Sequence, residues 1–240
     1  RAAIPVWEAL DQADLISRLI PEWKVVRSAP QRNPVHRFTV DRHLVETAVN
    51  ASGLTREVSR PDLLLVGALL HDIGKGQAGD HTEVGVRIVA ELAPRLGFDA
   101  SDSAVLVDMV RYHLLLPDTA TRRDLADPAT AAAVAAAVKT QSVLELLDCL
   151  TRADAAATGP AAWSPWKASL VSELVARTQA ALDGRPELPR PTLTESQREL
   201  ATGEGVQVLI EPGEGVWWVT VAADDRLGLL GQVAGALAVN

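Results

Sequence analysis

Apolar residues recur at helical spacing through most of the first 184 positions of the chain. The pattern that begins at Leu44 predicts an amphipathic helix over 41–50, and the all-apolar run at 62–70 predicts a buried helix. Further periodic segments predict helices that begin near residues 81, 101, 128, 142 and 165. Nothing from 34 to 184 alternates as a strand does, so this part is predicted to be all α.

Particular residues also predict where helices begin and end. Asp80 and Glu83 stand three residues apart before an apolar run, which is the pattern of a capped helix start. The helix from 101 is expected to continue to Leu116 and to be closed by Pro117, because proline rarely continues a helix.

The pattern changes after residue 184. Glycine and proline at 184, 186, 189 and 191 predict a stiff, open linker over 185–204. Valine- and tryptophan-rich runs at 205–210 and 216–222 predict two strands, and a short apolar helix is predicted over 229–238. These few elements cannot bury a core of their own, so the domain over 205–240 is expected to be incomplete.

Composition and charge exclude several classes of protein. The chain has 240 residues, of which 48% are hydrophobic and 22% charged, as in ordinary globular domains. A net charge of −8 argues against a nucleic-acid-binding face, and no apolar run reaches the ~20 residues of a membrane span. The single cysteine argues against a disulfide framework and fits a reducing compartment, so a cytoplasmic protein is expected.

Histidine and aspartate residues form the candidate chemical site. The pair His71–Asp72 ends the predicted all-apolar helix, where charged groups are costly unless they are neutralised. A lone buried histidine is usually satisfied by a backbone carbonyl, but other candidate ligands lie on separate predicted helices: His43, His81, His113 and Asp154. Imidazole and carboxylate groups from several helices can converge on a divalent metal such as manganese, iron, magnesium or zinc.

The order of these residues resembles the metal-dependent phosphohydrolase superfamily named for its HD signature. The matching ligands are His43, His71, Asp72 and Asp154, and His81 and His113 fall where members with two metals carry additional ligands. The resemblance implies an all-α HD-domain helical bundle that binds one or two ions, with manganese or magnesium expected ahead of iron or zinc.

Two residues of this motif are expected to act in catalysis. Asp72 is the natural carboxylate to bridge two ions. Lys75 lies one helical turn from His71 and Asp72 and could hold a phosphate oxygen as a point charge. Spacing alone equally allows a solvated lysine after a helix end, and the resemblance favours the phosphate-binding role.

A narrower resemblance covers roughly residues 1–185. The segments at 20–23, 35–43, 71–76 and 163–167 resemble the bifunctional PII uridylyltransferase/uridylyl-removing enzyme family of nitrogen signalling. In that family a nucleotidyltransferase domain precedes the HD domain, and two ACT domains close the chain. The resemblance therefore implies the following division: a lead-in from a missing nucleotidyltransferase domain over 1–33, the HD phosphohydrolase domain over 34–184, the linker over 185–204, and the incomplete ACT domain over 205–240.

The resemblance also implies a substrate and an effector. The expected reaction removes the nucleotidyl group from uridylylated or adenylylated PII protein, and glutamine is expected to act at the ACT ligand loop, formed by Asp225, Gly228 and Leu229. The alanine-rich composition is similar to that of actinobacterial proteins, a lineage in which adenylyl groups are expected, and the sequence leaves that choice open. The candidate substrate-binding residues are Arg111, Trp166 and Lys167, although one of Trp163 and Trp166 is expected to belong to the core and the role of Lys167 is left open.

Two alternative functions remain open from the sequence. One is another HD phosphohydrolase that acts on a free nucleotide or a signalling nucleotide. The other is a non-catalytic HD-like bundle with a regulatory role. The resemblance outside the ligand positions favours the nucleotidyl-removing enzyme over the first, and the complete set of ligand residues argues against the second.

Overall fold

The computed structural model of the chain describes residues 3–31, 37–185, 193–224, 226 and 228–239. These residues fall into two units, Arg1–Leu188 and Pro189–Asn240. The described residues of the first unit form only helices and connections, as the sequence pattern predicts, and those of the second unit include two strands.

The first unit contains eleven α-helices in its described residues. They are α1 Ala3–Gln12, α2 Leu15–Leu19, α3 Trp23–Val26, α4 Val40–Ala51, α5 Pro61–Leu70, α6 His81–Arg95, α7 Ala100–Arg111, α8 Leu115–Arg122, α9 Pro128–Val138, α10 Gln141–Thr158 and α11 Pro165–Leu182. Short 3₁₀ turns lie at Ser52–Leu54 and Pro160–Ala162.

Side-chain caps explain why several helices begin where they do. Asp80 accepts hydrogen bonds from the backbone N–H groups of Thr82 and Glu83 at the start of α6. Asp127 caps α9, which opens on Pro128, a position where the missing N–H of proline costs nothing. The predicted start of α6 is thus confirmed, and its side-chain cap fixes the position of His81 as the first residue of the helix.

The helix predicted over 101–116 is wrong in one respect, because the structure divides it into α7 and α8. Residues 112–114 leave the helical path, and Pro117 lies in the first turn of α8 instead of closing a helix. The apolar pattern continues across the break because both helices face the core with buried Val110 and Leu116. The break places His113 just beyond the last turn of α7.

One core joins the helices of the first unit. Leu44 of α4, Leu64 of α5 and Leu144 of α10 are fully buried in it. Trp23, only 1% exposed, belongs to the same core, so the N-terminal helices pack onto the bundle. The turn that carries His71 and Asp72 follows α5 directly and is itself buried, together with Ile73.

The second unit contains α12 Glu195–Ala201, β1 Gln207–Pro212, β2 Trp217–Ala222 and α13 Leu229–Val239. The two strands pair antiparallel, with Val208 opposite Val221. Both predicted strands and the predicted final helix are therefore present, with ends shifted by one or two residues.

Among the described residues, no single helix is long and apolar enough to cross a membrane. The pair Pro128–Val138 and Gln141–Thr158 meets the length and composition requirement only when taken together, across a bend of 101°.

A close backbone contact holds the turn after α5 against α6, and it gives the first prediction. A Cβ atom on Gly74 would lie 2.1 Å from the carbonyl oxygen of His81 and 2.4 Å from the nitrogen of Gly85. We expect Gly74→Ala to destabilise the fold by about 1–3 kcal/mol, because backbone must move to admit the methyl group. Thermal unfolding followed by circular dichroism measures the change.

Gly53→Ala is the matched control for this variant. Gly53 lies in a 3₁₀ turn, and a Cβ there would meet nothing within 4 Å. We expect its melting temperature to stay at or slightly above that of the parent. Equal melting temperatures for both variants would contradict the close contact between Gly74 and α6.

Candidate metal centre

Asp72 lies at the centre of the site and is only 4% exposed. The side chains around it come from α4, α6 and α10 and from the turns that follow α5 and α7. The Oδ1 atom lies 3.7 Å from His81 Nε2 and 3.6 Å from His113 Nε2. These two histidines come from the start of α6 and the end of α7, so one side of the carboxylate faces that pair of helices.

The other oxygen of Asp72 faces a second group of side chains. Oδ2 lies 3.4 Å from His71 Nε2 and 3.9 Å from His43 Nε2. Asp154 of α10 completes this group, with its Oδ1 atom 2.9 Å from His43 Nε2 and 3.6 Å from His71 Nε2. Lys75 Nζ also reaches Asp72 Oδ2, at 2.6 Å.

The six predicted ligands therefore form two adjacent triads. One consists of His43, His71 and Asp154, and the other of Asp72, His81 and His113. Within each triad the candidate ligand atoms lie within 4.8 Å of one another. The structure thus brings together every residue that the sequence analysis selected as a metal ligand.

Two of the histidines are oriented by the helix ends that carry them. The Nδ1–H of His71 donates to the carbonyl of Ala68 at 2.8 Å, and that of His113 donates to the carbonyl of Val110 at 2.6 Å. Carbonyls in the last turn of a helix have no helical partner and are available as acceptors. Each bond leaves Nε2 pointing at the carboxylates, the arrangement that metal-binding histidines commonly use.

Two buried polar atoms support a metal ion as the missing partner. His71 Nε2 and Asp72 Oδ1 have no hydrogen-bond partner in the part of the chain that the structure describes. A buried polar group without a partner costs about 1–3 kcal/mol. Nitrogen and oxygen ligands without thiolate suit manganese, magnesium, iron or zinc. The residues therefore fit one or two divalent ions.

Electrostatics in the site follow from burial and from the two carboxylates. Burial alone would lower the pKa of His71, but Asp72 and Asp154 outweigh it and raise that pKa to about 10. Burial likewise opposes the ionised carboxylates, yet His71 and Lys75 hold the pKa of Asp72 well below its usual range, and His43 and His71 do the same for Asp154. The carboxylates therefore require positive charge in this site.

A cavity of about 720 Å³ opens beside the centre. Its described lining includes Asp72, Asp154, His81, His113 and Lys75. This volume falls in the range of small-molecule sites, ~300–1,000 Å³. The candidate ligands are therefore accessible to a substrate from one side.

Lys75 is fixed at the wall of this cavity by a residue that the sequence analysis missed. Its ammonium group donates to Gln31 Oε1 at 3.1 Å while it pairs with Asp72. Gln31 lies in the segment that the sequence assigned to a lead-in, 44 positions before Lys75, and no motif pointed to it. Its contribution arises from the packing of the N-terminal helices.

The three predicted substrate-binding residues lie elsewhere. Arg111 faces Asp108, with Nε 3.9 Å from Oδ1, and the ammonium group of Lys167 donates to the carbonyl of Ala162 at 3.2 Å. Trp166 is 49% exposed on α11. None of the three is among the described residues that line the cavity, because helix α7 ends and helix α11 begins with these side chains directed at local partners or solvent.

The predicted ACT ligand loop is described only in part. Gly228 has a φ of +83°, a conformation that favours glycine, and Leu229 begins α13. Asp225 lies outside the described residues.

Comparisons with known proteins agree with this site. The family profile described as HD domain matches residues 40–159, half of the chain. A bifunctional uridylyltransferase/uridylyl-removing enzyme of Streptomyces coelicolor is 60% identical over 187 residues, which cover 78% of this chain and 22% of the relative. The resemblance inferred from the sequence motifs is confirmed.

Other relatives carry the same name. The one from Mycobacterium tuberculosis is 49% identical over 237 residues, covering 97% of this chain and 29% of the relative. The one from Ruegeria pomeroyi is 38% identical over 189 residues, covering 72% of this chain and 21% of the relative. The chain therefore spans less than a third of the length of these relatives.

The two triads predict how metal content responds to substitution. The wild-type chain loaded with manganese and desalted should retain one or two ions by elemental analysis. We expect His71→Ala to lose the ion of the first triad, His81→Ala to lose that of the second, and Asp72→Ala to lower both.

The control is Asn50→Ala, on the same helix as His43. Asn50 donates to the carbonyl of Ala153, next to Asp154, but supplies no ligand atom to either triad. This variant should keep the parent's metal content. If His71→Ala and Asp72→Ala also retain it, the assignment of ligands is wrong.

Proposed function

The chain belongs to the HD domain family, and on this premise we propose that it is a metal-dependent phosphodiesterase that acts on a protein-linked nucleotide. The proposed reaction hydrolyses the nucleotidyl group of uridylylated or adenylylated PII protein and releases PII with UMP or AMP. The observation that carries the proposal is the position of Asp72, whose Oδ1 atom faces His81 and His113 of its own triad and whose Oδ2 atom faces His71 of the other. A carboxylate in that position suits the bridge of a two-metal phosphoesterase.

The names of the relatives support removal of the nucleotidyl group as the activity of this part of the chain. Those proteins are named for a uridylyltransferase and a uridylyl-removing activity. A His/Asp centre beside an open cavity has the chemistry of metal-assisted hydrolysis, which accounts for the second of these activities.

Each residue of the centre has a defined part in the proposed reaction. When bound, two divalent ions supply a water of lowered pKa and bind the phosphoryl oxygens. The first triad would hold one ion, and the second, which includes Asp72, would hold the other. Lys75 would donate to a non-bridging phosphoryl oxygen. In the net reaction a bond would form between a water oxygen and phosphorus, the phosphoester bond to PII would break, and the leaving oxygen of PII would take a proton that the water gives up.

Asp72 also keeps Lys75 ready for this role. The carboxylate holds the ammonium group at 2.6 Å, at the wall of the cavity. The ammonium group contacts Oδ2 of Asp72, whereas His81 and His113 face Oδ1, so it can meet an incoming phosphate as a point charge beside the second triad.

The remaining parts of the proposal rest on the family resemblance. We expect manganese or magnesium as the ion, a cytoplasmic location, and glutamine as an effector at the ACT domains. The net charge of −8 supports a protein partner over nucleic acid. Gly228, with its positive φ at the start of α13, supports a ligand loop there.

Lys75 provides a test of the phosphate-binding role. We expect Lys75→Ala to lower turnover about 10²-fold or more, because it removes a charge aimed at the transferring phosphoryl group. Metal content should stay near that of the parent, since the lysine is no ligand, whereas the melting temperature of the metal-free variant should fall, because Asp72 loses its ion pair. The control is Lys24→Ala, an exposed lysine outside the cavity. Parental turnover by Lys75→Ala would contradict the phosphate-binding role and leave Lys75 only as the ion-pair partner of Asp72.

The substrate is tested by mass spectrometry of modified PII. Incubation with the manganese-loaded chain should remove one nucleotidyl mass from UMP- or AMP-modified PII, and a chelator should stop the reaction. Free nucleotides in parallel reactions are the control. Intact modified PII together with rapid turnover of a free nucleotide would contradict the proposal, and inactivity on all of them with metal bound would indicate a regulatory module.

A further inference from the structure

Two aliphatic side chains border the cavity beside the metal centre. Val25 of α3 and Leu114, between α7 and α8, both line it, together with Asp72 and Lys75. Each is 41% exposed, although most large aliphatic side chains of the bundle are buried. Accessible apolar surface within a cavity that holds polar catalytic groups is surface that a bound ligand can cover. Val25 and Leu114 are called the aliphatic rim below.

The aliphatic rim lies next to the groups that would hold the phosphoryl group. Leu114 directly follows His113 of the second triad. Val25 packs against Gly76, the residue after Lys75: a Cβ on Gly76 would lie 3.2 Å from the carbonyl oxygen and 3.3 Å from Cγ1 of Val25. Leu114 is therefore the sequence neighbour of a candidate ligand, and Val25 contacts the sequence neighbour of Lys75. A group attached to the phosphate would meet these side chains first.

Two amide side chains are among the described residues that line the same cavity, Gln31 and Gln77. Gln31 Oε1 already accepts a hydrogen bond from Lys75, and its Nε2 is buried. Gln77 is exposed, and its amide carries both donors and an acceptor, so by rotating it can pair with the edge of uracil or of adenine. Contacts of an aliphatic side chain with the flat face of a base depend little on which base it is, because every base has such a face.

We propose that the aliphatic rim binds the nucleobase of the nucleotidyl group by its face and accepts uracil and adenine alike. This inference rests on the proposed function, in which a nucleoside monophosphate is the group removed. It makes Val25 and Leu114 contributors to substrate affinity, whereas the phosphate is held by Lys75 and the metal centre.

The test is calorimetric binding to the manganese-loaded chain, which needs no turnover. The ligands are UMP, AMP and ribose 5-phosphate, which has the same phosphate and sugar without a base. The wild type should bind both nucleotides more tightly than ribose 5-phosphate. The double variant Val25→Ala/Leu114→Ala should weaken UMP and AMP by about tenfold each, given the buried methyl groups removed, and ribose 5-phosphate by less than about twofold.

The matched control is the double variant Val6→Ala/Leu19→Ala. These residues are 59% and 65% exposed on α1 and α2 and do not line the cavity, so all three affinities should stay at the parent's value. Melting temperature and metal content, measured on both double variants, show whether either change disturbs the bundle.

Three results would overturn the proposal. Ribose 5-phosphate weakened as much as the nucleotides would mean that the rim supports the phosphate site. Loss of only UMP or only AMP binding would mean that the rim distinguishes bases. A wild type that binds ribose 5-phosphate as tightly as UMP makes no base contact. The proposed function has a separate test. It would be contradicted if modified PII stayed intact, even if the nucleotides bound and the rim variant lowered their affinity.

Discussion

The constraint on which the site depends is the burial of the Asp72 carboxylate at the end of an all-apolar helix. Removing an ionised carboxylate from water costs several kcal/mol unless opposite charge and hydrogen bonds compensate for it. Here the compensation comes from Lys75 at 2.6 Å and from imidazole groups on both sides. The packing of the bundle therefore has to place the helices that carry these groups so that their side chains reach the carboxylate.

Helix ends orient several of these side chains. His71 and His113 both stand just after the last turn of a helix, and each uses a carbonyl of that turn to fix its ring. His81 stands at the opposite kind of end, immediately after the Asp80 cap. Gly74 then lets the turn after α5 approach α6 more closely than any side chain would allow. Short loops and caps therefore set the geometry, and the long helices supply the rigid support.

Sequence reasoning reached the elements and the candidate ligands because both leave local signals. Periodicity and caps predict both ends of α4 and α5, and the starts of α9, α10 and α11, to within one residue. The apolar pattern does not reveal the break between α7 and α8, because apolar residues face the core on both sides of residues 112–114 and the period continues through the break. Sequence reasoning also missed Gln31, whose contact with Lys75 joins positions 44 residues apart and has no local pattern. Arg111, Trp166 and Lys167 were chosen for proximity in sequence, which does not determine the direction of a side chain.

The segment before residue 33 has a larger part in the site than its sequence suggested. Trp23 is buried in the common core, and this anchors α3 so that Val25 meets Gly76 at the cavity. Gln31 then reaches Lys75 from the same segment. The candidate metal ligands all come from residues 43–154, but the wall of the cavity is partly built from the N-terminal segment. Chemistry and substrate recognition can therefore change separately in this architecture, since the ligands and the wall belong to different stretches of the chain.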